Sequence, residues 1–106
     1  MGLSFRKVHV EVTGIGPSNG AVGSGLARWG IGVKIHHAEV ALRGFRIGYF
    51  EGDHHFRFQR IELADVVINN GDVEFEVFMK LEDDTTDTNK FKGEVEVLVI
   101  ADVDFP

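Results

Sequence analysis

Apolar and polar residues alternate with a period of two along much of this chain. Val8-His-Val-Glu-Val12 begins the pattern. Val73, Phe75, Val77, Met79 and Leu81 alternate with Asp72, Glu74, Glu76, Phe78 and Lys80. Val95, Val97 and Val99 alternate with Glu94, Glu96 and Leu98. A period of two half-buries a strand, with one face in the core and the other outside. In the middle of the chain the phase slips. Ile31, Val33 and Ile35 are odd, whereas Ala38, Val40 and Leu42 are even, and the change falls at His36-His37. Gly44 resets it for Phe45, Ile47 and Tyr49, and another shift near Arg60 separates Phe56 and Phe58 from Ile61 and Leu63. One-residue slips mark β-bulges or corners. Asn70-Gly71 predicts a two-residue hairpin with positive φ at both positions. Leu98 and Ile100 make the last strand apolar on both faces, as expected in the middle of a sheet or against another subunit.

Gly14 to Gly32 holds seven glycines in nineteen residues, with Pro17, Ser18 and Asn19 among them, and is read as a loop. No helical pattern follows Gly14-Ile-Gly-Pro-Ser-Asn-Gly20, so there is no helix N-terminus to hold a pyrophosphate. No window carries a helical period. The expected fold is all-β: one domain over residues 1–106, an antiparallel β-sandwich of six to eight strands or a flattened barrel.

Composition narrows the function. A chain of 106 residues buries roughly two-thirds of its unfolded surface and folds without staples. It has no cysteine, hence no disulfide framework and no thiolate metal site. No apolar run approaches the roughly 18 residues of a membrane span, and the N-terminus lacks a signal peptide's apolar segment. The expectation is a cytoplasmic protein, or one released without a standard signal peptide. The net charge of −6 is unevenly divided. Residues 1–50 hold six Lys/Arg against Glu11 and Glu39, while residues 51–106 hold five Lys/Arg against fifteen acids. An acidic balance argues against nucleic acid as a partner. The two halves either neutralise each other within one domain or meet head to tail between subunits.

The residues with chemistry are few. His36-His37, His54-His55 and His9 match no metal signature, and adjacent strand residues face opposite ways. A two-strand site using His37 and His55, or His36 and His54, with Asp53, requires those strands to be neighbours. The acidic run Glu82-Asp-Asp-Thr-Thr-Asp-Thr-Asn89 lacks the spacing of a helix–loop–helix calcium site and reads as a solvated turn. Ser4, Ser18 and Ser24 sit in no nucleophile elbow, and no carboxylate pair stands out. The chain is therefore read as non-enzymatic, with no cofactor and no metal. A sugar site combines a carboxylate and an arginine for hydroxyls with an aromatic face for the C–H side. Asp53, His54, His55, Arg57 and Arg60 offer the polar groups. Trp29, the one tryptophan, offers the face, or else anchors the rim of the core.

Four segments carry a family resemblance: Ala38-Glu-Val-Ala-Leu-Arg-Gly-Phe45, Asp53-His-His-Phe-Arg-Phe-Gln-Arg-Ile61, Asn70-Gly-Asp-Val-Glu-Phe-Glu-Val77 and Val95-Glu-Val-Leu-Val-Ile-Ala101. Their order and spacing resemble the H-type lectin domain over about residues 38–101. The resemblance implies a six-stranded antiparallel sandwich, a homo-oligomer (trimer or hexamer) and binding of N-acetylgalactosamine-type glycans between subunits. Arg57 or Arg60 would correspond to that family's middle-strand arginine. The aromatic which that family carries before its last strand has no counterpart in residues 82–90. The expected function is thus a lectin-like, carbohydrate-binding oligomer. The alternative is a structural or assembly subunit of a larger multimeric particle, phage-like or other, without a small ligand.

Overall fold

The computed structural model describes residues 2–16, 20–49, 56–83 and 89–106. Its elements are β1 (Gly2–Gly16), β2 (Ala21–Arg28), β3 (Lys34–Tyr49), β4 (Phe56–Asn69), β5 (Asp72–Asp83) and β6 (Asn89–Asp104). They form two three-stranded sheets, β1-β6-β3 and β2-β5-β4, and every pairing is antiparallel. The sheets stack as a small β-sandwich.

The strands with the cleanest alternation lie in the centre of each sheet. Val73, Phe75, Val77 and Met79 of β5 and Val95, Val97, Val99, Ala101 and Val103 of β6 are almost wholly buried. A central strand is flanked on both sides, so its inward residues are covered on every side. The two phase slips of β3 are register shifts between Ile35 and His37 and between Leu42 and Gly44. The chain passes through them without breaking, so Lys34–Tyr49 is one strand. β4 is likewise continuous, with shifts at Phe56/Phe58 and Ala64/Val67 rather than at Arg60. Asp65 sits in the second of these with φ 54°. Asp tolerates that left-handed conformation better than most residues.

The glycine-rich stretch is not a loop throughout. β1 runs on to Gly16, and Ala21–Arg28 is a regular strand paired with β5. Glycine is needed here for room. A Cβ on Gly25 would overlap the Phe75 ring, and one on Gly23 would come within 2.7 Å of Val12 Cγ2 on the facing sheet. Across the core, Gly93 of β6 leaves space for Met79 in the same way. Ala21, Gly23, Gly25 and Ala27 thus form a small-residue inner row, and Val22, Ser24, Leu26 and Arg28 point outward.

Asn70 and Gly71 form the two-residue β4–β5 turn, closed by the Asn69–Asp72 pair. Asn70 carries the positive φ, 55°. The demand on Gly71 is steric: a Cβ there would collide with the Gly30 backbone. This close approach lets Trp29 N–H donate to the Gly71 carbonyl at 2.8 Å.

Overpacking a dense core costs about 1–3 kcal/mol. Gly25→Ala is expected to lower unfolding stability by about that amount, read as a reduced urea midpoint. Gly44→Ala, where an added Cβ meets nothing within 4 Å, should leave the midpoint nearly unchanged.

Candidate functional site

The two long sides of the sandwich differ. Along β1 and β2 the sheets close tightly, because Gly23 admits Val10 and Val12, which are 4% and 3% exposed. Along β3 and β4 they do not. Register places Leu42 and Phe45 on the same face as buried Val97 and Val95. They therefore point toward the core side, yet are 40% and 53% exposed. On β4, Ile61 and Leu63 face inward opposite Met79 and Val77 and are only partly buried. Ile68, opposite Val73, is 40% exposed. Inner-face apolar residues that water reaches from the side make an open seam. At its end near Asn70, Ile31, Val33, Ile35 and Ile68 line a recess of about 540 Å³.

Of the residues expected to bind sugar, the two whose side chains are described, Trp29 and Arg60, are not brought together. Arg28 pairs with Asp72, and Phe56 pairs with Asp83 eleven residues along β5, so Trp29 and the start of β4 are roughly 35 Å apart. Trp29 is 9% exposed. Its Nε1–H donates to Ser4 Oγ at 2.8 Å, and the Arg6 guanidinium lies 4.9 Å from its ring centroid. This is the rim-of-core position. Arg60 lies on the outer face of β4, where its Nε donates to Glu62 at 2.8 Å and its guanidinium sits 5.8 Å from the Phe78 ring. Asp53, His54 and His55 lie outside the described residues, as does the side chain of Arg57.

The two-strand histidine arrangement needed β3 and β4 as sheet neighbours, and its His54, His55 and Asp53 lie outside the described residues. β3 and β4 belong to different sheets, so they are not hydrogen-bonded neighbours. His37 pairs opposite Asp102, while Tyr49 pairs opposite Phe91 at the far end of β6. His36 contacts Asp104 at 2.7 Å and His37 contacts Glu39 at 3.3 Å. Most of the acidic run falls outside the described residues, though Glu82 and Asp83 belong to β5.

A charged band that motif reading missed crosses the outer face of β1-β6-β3. His9, Glu11 and Glu94 bring ligand atoms within 4.8 Å of one another. Register makes Glu11 and Glu94 direct neighbours and places Arg46 on the far side of Glu94. His9 pairs with Glu11 at 3.6 Å, and the Lys92 ammonium lies 4.0 Å from the same carboxylate. Lys92 and Arg46 thus supply cations beside this carboxylate pair. Beside it, Gly44 leaves a shallow hollow bordered by Arg46, Glu94 and Glu96. The signal was in the sequence, as the alternation His9-Val-Glu11 on one strand and Glu94 on another, but only the pairing register joins them.

Two carboxyls are displaced in opposite directions. The hydrogen bond from His36 holds Asp104 down to about 2 from 3.8. On the other sheet, the hydrogen bond to Asp65 and the charge of that neighbour raise Glu76. Among the described residues no helix is long and apolar enough to cross a membrane. Comparison of the chain with protein-family models, curated proteins and solved structures finds no match.

Asp104 has a depressed folded pKa. Its stabilising contribution is present above the unfolded value of 3.8 and is lost as pH falls through about 2. Asp104→Asn should be less stable than the parent above pH 4, with the gap closing as pH falls toward 2, in urea titrations across that range. Glu76→Gln should show the reverse sign near neutral pH: a gain, because a carboxyl raised in the fold stabilises only below its unfolded pKa.

Proposed function

We propose that this chain is a non-enzymatic assembly subunit that works by self-association, with the open seam between β3 and β4 as the joining surface. The observation that carries this reading is the exposure of Leu42, Phe45 and Ile68, apolar residues that point to the core side of their sheets. Apolar side chains in a contiguous exposed strip mark interaction surfaces more often than scattered single residues do. β3 and β4 are also edge strands with unpaired backbone groups along the same side. The described recesses are shallow and border the surface, which suits association better than enclosure of a small substrate.

The glycan reading has less support. Its stacking residue is engaged by Ser4 and Arg6, and Trp29 stands roughly 35 Å from the start of β4, the strand that carries Arg57 and Arg60. The assembly reading uses residues on one continuous side of the fold.

Light scattering tests it. The parent protein is expected to run as a defined oligomer at micromolar concentration. Leu42→Asp and Phe45→Asp should reduce it to monomer with an unchanged circular dichroism spectrum, because both side chains are already exposed. Leu3→Asp, on the outer face and 69% exposed, should leave the mass unchanged. A parent protein that is monomeric throughout overturns the proposal.

A further inference from the structure

We infer that the occupant of the seam is a second copy of the chain, turned about a two-fold axis parallel to the strands, so that β3 of each copy pairs antiparallel with β4 of the other. This rests on the seam being the joining surface. It goes further by fixing the partner, the strand pairing and the symmetry.

The directions follow from the fold. β3 is antiparallel to β6, and β4 is antiparallel to β5. The facing contacts show that β5 and β6 also run oppositely. Gly93 faces Met79, Gly23 (paired with Val77) faces Val10 and Val12, and Trp29 reaches Ser4. Later residues of β6 thus lie level with earlier residues of β5, which leaves β3 and β4 antiparallel to each other. Rotation about an axis parallel to the strands keeps strand direction and exchanges the two layers. It therefore sets β4 of the second copy beside β3, antiparallel. Each layer becomes a six-stranded sheet in the order β1-β6-β3 followed by β4-β5-β2 of the second copy. Both pairings form at once, as an isologous two-fold interface requires.

The heights match as well. The same facing contacts put Val95 level with Val77 and Val99 level with Val73. Phe45, opposite Val95, then stands level with Leu63, opposite Val77. Val40, opposite Val99, stands level with Ile68, opposite Val73. A rotation about the strand direction preserves height, so these inward residues meet their counterparts across the joint. The bulges also coincide. The β3 shift at Leu42/Gly44 lies beside Val97 and Glu96, and the β4 shift at Ala64/Val67 lies beside Glu76 and Glu74. An extra residue on each strand at one level leaves the ladder in phase on either side.

Charge favours this pairing over β3 against β3. β3 carries Lys34, Arg46 and an Arg43 already paired with Glu96 at 2.7 Å, against Glu39, so self-pairing of β3 gathers more cations than anions. The described side chains of β4 include Glu62 and Asp65 against Arg60. The size is adequate. About ten residues of strand at about 3.4 Å each, across two layers that each occupy about 10 Å of depth, make a joint of about 34 Å by 20 Å, roughly 700 Å² per copy. The total of roughly 1,400 Å² lies in the range of stable dimers.

The absence of cysteine makes cross-linking clean. Ala41 and Val67 are both exposed outward residues, opposite Leu98 and Glu74, and stand at one level. Coexpressed A41C and V67C chains, oxidised under mild conditions, should give a covalent dimer on a non-reducing gel, and each variant alone should not. A64C and N69C in place of V67C allow for a displaced register. If the parent is monomeric and Leu42→Asp changes nothing, the association reading itself fails. If the parent is an oligomer that Leu42→Asp disperses, but no β3 and β4 mixture cross-links, the pairing inferred here is overturned. Cross-linking of A41C alone in that case identifies β3 against β3. An oligomer larger than a dimer with no such cross-link overturns it equally.

Discussion

The close approach of the two sheets at glycine is the constraint on which this sandwich depends. Stacked sheets stand about 10 Å apart, and that gap must be filled without voids or overlap. Here the filling is asymmetric. Phe75 and Met79 are large and come from one central strand. Gly25 beside Phe75 and Gly93 opposite Met79 give up the space. A side chain at either glycine competes directly with a fully buried group. The rest of the core is mostly valine, whose branched side chain is stiff and suits a strand.

The same constraint shapes the two sides of the molecule. Small residues on β2 draw that edge in against β1. β3 and β4 carry the larger Leu42, Phe45, Ile61, Leu63 and Ile68 on the corresponding faces. Three strands per sheet do not cover them all, so they stay partly exposed along that side. One closed side and one side with exposed inner-face residues therefore follow from residue size along four strands. Among the described residues, bulges fall on β3 and β4, while β1 and β2 keep unbroken register.

Much of the fold was legible in the sequence because burial and alternation are local signals. β5, β6, the Asn70-Gly71 turn and both phase slips of β3 could be read directly. β2 could not, because its inner residues are small for reasons that lie on other strands. Gly25 is explained by Phe75, and Gly23 by Val12. Its alternation was present, as Ala21, Gly23, Gly25 and Ala27 against Val22, Ser24, Leu26 and Arg28, but glycine hid it. The candidate site was less legible. Trp29 was open to two readings, a stacking face or a rim-of-core anchor, because its partners Ser4 and Arg6 lie more than twenty residues away in sequence. The seam is a property of sheet edges, and strand order cannot be read from a period of two.

Strand order also has a bearing on how the chain is made. β6 is the only partner of both β1 and β3 among the pairings, and it is the last of the six strands to be synthesised. Two strands of fifteen and sixteen residues therefore wait at the ribosome with their backbone groups unpaired while β2, β4 and β5 assemble beside them. Contacts of such long sequence separation form slowly, and exposed strands are the species that aggregate. The alternating charges along β1 and β3, among them Arg6, Lys7, Glu11, Glu39, Arg43 and Arg46, then serve the nascent chain as well as the finished fold, keeping it dispersed until its central strand arrives.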